Sequence, residues 1–162
     1  MPPSDSGLSE FDIHRLSLHA FQAKAKAYHR HSNFSVGAAL LCADGEIITG
    51  CSVDNAAYGL STCAEQVAIV KAVSEGRRSF LGLAIVSDLF VPITPCGACR
   101  QVLAEFCDPG MPVLLLANHS LNPDSNSRGM KEVTIADLLP FDTEHAQAWE
   151  RHCVVPTNCW AV

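Results

Sequence analysis

The sequence predicts a layered α/β domain built on a mixed sheet. Three observations carry this reading: continuous apolar runs of strand length at 81–87 and 113–117, helical patterns at 62–75 and 97–107, and a hairpin signature at Asp44-Gly45. The domain is expected over residues 8–142, with residues 143–162 as a C-terminal extension of unassigned role.

Each element has its own signal. Residues 8–28 carry Leu8, Phe11, Leu16, Leu18, Ala20, Phe21, Ala25 and Ala27 at imperfect 3.6-residue spacing, which reads as a first helix whose Lys24 and Lys26 complement the C-terminal dipole. A polar loop, His29-Arg30-His31-Ser32-Asn33, follows. Runs 36–43 and 46–53 flank Asp44-Gly45, a pair suited to a two-residue type I′ turn. In 62–75, Val67, Ile69, Val70 and Val73 are the apolar positions of a helix, with Thr62 the expected N-cap, Glu65 its capping-box partner and Gly76 the stop. Then come a strand at 81–87, a loop with Pro92 and Pro95, and a helix at 97–107 closed by Asp108-Pro109-Gly110. A strand at 113–117, a polar loop at 118–129, a short strand at 132–135 and a helix at 136–139 complete the order α-β-β-α-β-α-β-β-α.

Composition narrows the function. The 162 residues are 48% hydrophobic and 17% charged, enough to bury a core without disulfide staples. The net charge of −6 opposes nucleic acid and anionic membranes as partners, because phosphates would be repelled. A small, weakly charged ligand is expected instead. The first seven residues show neither a basic nor an apolar signal region, and no apolar run approaches the roughly 20 residues of a membrane span, so a cytoplasmic, reducing setting is expected. There the eight cysteines read as metal ligands or small core residues rather than disulfides.

Two cysteine clusters carry chemistry. Cys63-Ala64-Glu65 opens one helix and Pro95-Cys96-Gly97-Ala98-Cys99 opens another, with 32 residues between Cys63 and Cys96. Helix N-termini favour thiolates, and CxxC on a first turn aims both sulfurs one way. Together the two helix starts offer three thiolates to one ion, which suits tetrahedral Zn²⁺ and leaves a fourth position for water, as in a catalytic site. Glu65, two residues after Cys63, is poorly placed as a ligand but well placed to shuttle a proton.

This arrangement, C-A-E followed by P-C-x-x-C, resembles the signature of the zinc-dependent nucleoside and nucleobase deaminases. The segments Phe34-Ser35-Val36-Gly37-Ala38-Ala39-Leu40, Gly50-Cys51-Ser52-Val53-Asp54-Asn55-Ala56, Pro95-Cys96-Gly97-Ala98-Cys99-Arg100-Gln101 and Asp137-Leu138-Leu139-Pro140 are similar to cytidine deaminase, and the likeness spans residues 11–142. The resemblance implies a three-layer α/β/α sandwich with a central mixed sheet and hydrolytic deamination of cytidine and deoxycytidine in pyrimidine salvage. It implies that Cys63, Cys96 and Cys99 bind Zn²⁺ and that Glu65 is the general acid/base for water attack at C4 of the cytosine ring. It further implies that Phe34 stacks on the pyrimidine, the Ala64 backbone contacts the base, the Thr94 carbonyl lies near the departing amine, and Ser52 and Asp54 meet the sugar. Tyr58 and Phe141 match aromatics that complete a neighbouring subunit's pocket, which implies a homotetramer.

The chain departs from the family pattern at Ser52-Val53-Asp54, where Asn and Glu are usual, and at Arg30-His31-Ser32, where Pro-Tyr-Ser is usual. Gln66 stands where many three-cysteine members have Arg, which leaves Arg100 as a candidate cation for the thiolates. Other readings stay open at this level. Cys51 is a possible fourth ligand of a closed structural site, Cys96 and Cys99 a redox pair, and His29 and His31 possible ligands. Phe34 fits a plain core role, Asp54 a turn role, and Cys42, Cys51 and Cys107 core packing. At the level of function, the alternatives are a deaminase of a blasticidin-type antibiotic or modified nucleoside, a polynucleotide deaminase, and a non-enzymatic zinc module.

Overall fold

The computed structural model describes residues 7–121 and 129–140; the extension at 143–162 and Phe141 lie outside the described residues. Helix α1 (Glu10–Lys24) starts where the Ser9 hydroxyl oxygen accepts the Asp12 amide at 3.1 Å. It stops short of the expected residue 28. The Tyr28 amide donates instead to the Ser52 carbonyl at 3.0 Å and the Asp54 amide to the Tyr28 carbonyl at 2.8 Å, so long-range pairing replaces helix there.

Strands β1 (Val36–Cys42) and β2 (Ile47–Cys51) form the expected hairpin, but its turn differs from the expected one. Gly45 takes φ +86° while Asp44 does not enter the positive-φ region, as a type I′ turn would require. The Cys42 amide donates to the Glu46 carbonyl and the Gly45 amide to the Cys42 carbonyl, both at 2.9 Å. The connection is thus a three-residue loop with glycine in the left-handed position.

Helix α2 (Ala64–Ser74) has Cys63, not Thr62, at its N-cap position, and no side chain caps it. Thr62 is drawn away into a bridge with Val53, exchanging bonds of 2.9 and 3.0 Å, and Glu65 therefore has no capping box to complete. The stop is as expected: Gly76 at φ +85° donates to the Val73 carbonyl at 3.0 Å and Arg77 to the Ala72 carbonyl at 2.9 Å. A 3₁₀ turn at Tyr58–Leu60 has no counterpart in the sequence reading.

Strand β3 (Phe80–Ser87), helix α3 (Gly97–Phe106), strand β4 (Pro112–Leu116), strand β5 (Met130–Thr134) and helix α4 (Ile135–Leu138) follow, each within a few residues of its expected span. The sheet order is β2-β1-β3-β4-β5, with β3 and β4 parallel and the other neighbours antiparallel. The parallel pair requires a crossover, and α3 provides it.

Alternation along the strands separates two cores. Leu40, Leu83, Ile85, Val113 and Leu115 face α2, α3 and α4, where Ala68, Ile69 and Leu103 cover them. Ala39, Leu41, Ala84, Val86, Leu114 and Leu116 face α1, where Leu16 and Ala20 cover them. The result is a three-layer α/β/α sandwich. Two glycines bring the helices close: a Cβ at Gly37 would overlap the backbone of Ala20 and Lys24 in α1, and one at Gly50 would overlap Ala64 and Ala68 in α2. Among the described residues, no helix is long and apolar enough to cross a membrane.

Candidate active site

The sheet geometry brings the first turns of α2 and α3 together. Cys63 and Cys96 are the N-cap residues of these helices, and Cys99 follows on the first turn of α3. The Sγ atoms of Cys63 and Cys96 lie 3.9 Å apart, those of Cys96 and Cys99 lie 3.4 Å apart, and all three fall within 4.8 Å of one another. A tetrahedral ion with metal–sulfur bonds of about 2.3 Å holds its sulfurs about 3.8 Å apart, so the cluster fits Zn²⁺ as it stands. Cys51 is not part of it: its thiol donates to the Lys26 carbonyl at 3.5 Å. Among the described residues, neither His29 nor His31 joins the cluster. Cys42 and Cys107 are buried in the core, as expected, and Cys51 is half-buried.

The thiols polarise one another. Hydrogen bonding from Cys99, helped by Cys96 and opposed by burial, lowers Cys63 to about 6, while the same Cys63 contact and burial push Cys99 up. Gln66 adds an N–H donor, Nε2 to Cys99 Sγ at 3.5 Å. Arg100 does not reach the sulfurs. Its fork donates to the Pro95 carbonyl at 2.8 Å, the Leu138 carbonyl at 2.9 Å and Thr94 Oγ1 at 2.8 Å, which ties the segment before Cys96 to the end of α4.

Glu65 sits on the first turn of α2 with 5% of its surface exposed. Burial pushes its carboxyl up to about 7, and the Cys63 charge adds to the rise against its own backbone amide and the Cys99 thiol. A carboxyl titrating near neutrality suits proton transfer in both directions.

A cleft of about 290 Å³ opens onto these groups. Of the residues singled out from sequence, Phe34, Ser52, Asp54, Cys63, Glu65, Thr94 and Cys96 line it. Cys99 and Ala64 are fully buried behind it. Tyr58 is 75% exposed and lies off the cleft wall, and Phe141 falls outside the described residues. Ser32, Val36, Ser61, Thr62 and Ile93 also line the cleft and were missed; adjacency to Phe34, Cys63 and Thr94 was the available signal.

Ser52 and Asp54, both on the cleft wall, have structural bonds. Asp54 Oδ2 accepts the His31 and Ser32 amides at 2.9 and 2.7 Å, and the Ser32 amide is the main reason its carboxyl lies below the usual range. Ser52 Oγ accepts the Val36 amide at 3.0 Å, which leaves its O–H free to donate.

A family model described as "Cytidine and deoxycytidylate deaminase zinc-binding region" matches residues 12–115. A cytidine deaminase of Sporosarcina psychrophila is 48% identical over 130 residues, 80% of this chain and 89% of that one. The crystal structure of cytidine deaminase from Burkholderia pseudomallei has a TM-score of 0.72 at 40% identity, covering 83% of this chain and 98% of its own. A blasticidin-S deaminase of Bacillus cereus is more distant, 27% identical over 73% of this chain and 83% of that one. The family match takes in β1 to β3 and both cysteine-bearing helix starts, and the chain belongs to the cytidine and deoxycytidylate deaminase zinc-binding family.

Proposed function

We propose that this chain hydrolyses cytidine and deoxycytidine to uridine, or deoxyuridine, and ammonia. The observation that carries the reading is the buried Glu65 carboxyl facing the same cleft as Cys63 and Cys96. Cys63, Cys96 and Cys99 would hold Zn²⁺, which supplies Lewis acidity that lowers the pKa of water toward about 7. Glu65 takes the proton from the attacking water through a carboxylate oxygen and returns it to the substrate. Water oxygen bonds to C4 as the C4=N3 double bond opens and N3 takes that proton; Glu65 then carries the remaining hydroxyl proton to the amine, the bond from C4 to the amine breaks as C4=O forms, and ammonia leaves past the Thr94 carbonyl. Phe34, half-buried on the cleft wall, presents its ring to the pyrimidine. The Ala64 backbone contacts the base, Ser52 donates its free hydroxyl proton to the sugar, and Asp54 Oδ1 accepts from a sugar hydroxyl.

In the same reading the enzyme is a cytoplasmic homotetramer of pyrimidine salvage, with Tyr58 and Phe141 completing a neighbour's pocket. Support comes from Tyr58 and Leu60, exposed by 75% and 69% on one 3₁₀ turn. Light scattering behind size exclusion tests the assembly.

Steady-state kinetics on cytidine, deoxycytidine and blasticidin S test the reaction. Turnover of the two nucleosides well above the antibiotic is expected. Negligible turnover of both nucleosides by zinc-loaded protein would refute the reading and favour the antibiotic or a modified nucleoside.

A further inference from the structure

We propose that Asp88 is a positioning residue for this reaction, holding Phe34 against the cleft through the Ser35 amide while Lys24 fixes the carboxylate. The proposal rests on the role given to Phe34 above.

The last ladder pair between β1 and β3 is Val36 with Ser87, so Ser35 and Asp88 both lie one step beyond the sheet. Ser35 is buried, and its amide has no strand partner there. Asp88 Oδ2 accepts it at 2.7 Å. The other oxygen, Oδ1, accepts from Lys24 Nζ at 3.0 Å. Lys24 is itself anchored: its side chain is 13% exposed, and the ammonium also donates to Asn118 Oδ1 and, at 3.4 Å, to the Ser87 carbonyl. Rotating the carboxylate would leave the Ser35 amide unpaired or take the counter-charge from a nearly buried ammonium. Burial opposes ionisation of Asp88, but the Ser35 amide and Lys24 together outweigh it, so the carboxyl lies below its usual range.

The other side of Phe34 is held independently. Asp54 takes the His31 and Ser32 amides, the Phe34 amide donates to Ser32 Oγ at 3.1 Å, and Asn33 between them sits at φ +51°. Two carboxylates therefore bracket the ring-bearing residue. They differ in one respect that defines the role: Asp54 lines the cleft, whereas Asp88 does not, and its bond to the Ser35 amide is the one that reaches the residue next to Phe34.

Asp88→Asn keeps the shape but turns an NH₂ toward either Lys24 or the Ser35 amide, donor against donor. In zinc-loaded protein we expect KM for cytidine to rise about tenfold with kcat changed by less than about threefold. In a Phe34→Leu background the same change should move KM by less than about twofold, because the residue it acts through is gone. In protein labelled with fluorophenylalanine, the ¹⁹F resonance assigned to Phe34 by its loss in Phe34→Leu should shift or broaden in Asp88→Asn. Should Asp88→Asn fail to fold, Asp88→Glu retains both charges and is read the same way. Equal KM effects in the two backgrounds, or an unmoved Phe34 resonance, overturn the proposal. A wild type inert on both nucleosides whose Phe34 resonance still responds to Asp88→Asn overturns the functional reading alone and upholds the positioning of the ring.

Discussion

Gly50 in β2 lies against the Ala64 carbonyl on the first turn of α2 with no room for a side chain between them. That contact sets where the helix carrying Cys63 and Glu65 begins. A methyl group at position 50 would overlap backbone atoms of Ala64 and Ala68, which cannot swing aside as a side chain can, so the helix start must shift. Gly50→Ala is expected to cost about 1–3 kcal/mol of stability by overpacking and to loosen zinc. Gly59→Ala is the control, because a Cβ there meets nothing within 4 Å. Calorimetry and metal analysis check both variants, and indistinguishable behaviour would show that the contact does not set the helix.

Glu65→Gln keeps the shape of the buried side chain and removes the proton transfer proposed for it. With 5% exposure, no water replaces the lost carboxylate easily. The expected outcome is a fall in kcat of about 10²- to 10⁴-fold with zinc content and thermal midpoint retained. Full activity in a zinc-loaded Glu65→Gln protein would remove Glu65 from the chemistry.

Much of this site is legible in the chain because its chemistry is local. Cys63-Ala64-Glu65 and Pro95-Cys96-Gly97-Ala98-Cys99 each fall within a single helix start, and the strands at their core are short apolar runs with no competing pattern. What stays hidden depends on partners distant in sequence. Helix α1 ends early because Ser52 and Asp54 pair with Tyr28, and Thr62 leaves the helix cap because Val53 takes it into a bridge. Asp88 gives no signal at all, since its partners Lys24 and Ser35 lie 64 and 53 residues away. Arg100 reads from sequence as a charge for the thiolates, yet three acceptors around Pro95 and α4 claim it.

Asp54 yields a pH dependence with a definite sign. The Ser32 amide, helped by the His31 amide, holds its folded carboxyl below the usual range against desolvation. A depressed folded value means that the stabilisation is present above the unfolded pKa of about 4 and is lost as pH falls through the folded one. Wild type should therefore melt above Asp54→Asn at neutral pH, and the gap should close in acid. A gap that is constant or widens toward low pH would show that the charge on Asp54 does not hold the 31–32 loop.

Gln66 supplies the cluster with a hydrogen bond but no charge. Three thiolates on one Zn²⁺ carry a formal charge of about −1, and among the described residues the nearby guanidinium of Arg100 is committed elsewhere. The Nε2 donor to Cys99 at 3.5 Å is then the stabilising contact that can be tuned. Gln66→Leu removes that donor, and a hydrogen bond to a charged acceptor is worth about 1.5–3 kcal/mol. Transfer of zinc to a competing chelator should shift by about tenfold or more in favour of the chelator. Gln66→Arg should shift it the other way, because it adds a cation beside the thiolates. Measuring zinc partition at fixed pH separates this from any effect on turnover, and equal partition in all three proteins would mean that position 66 does not contribute to holding the metal.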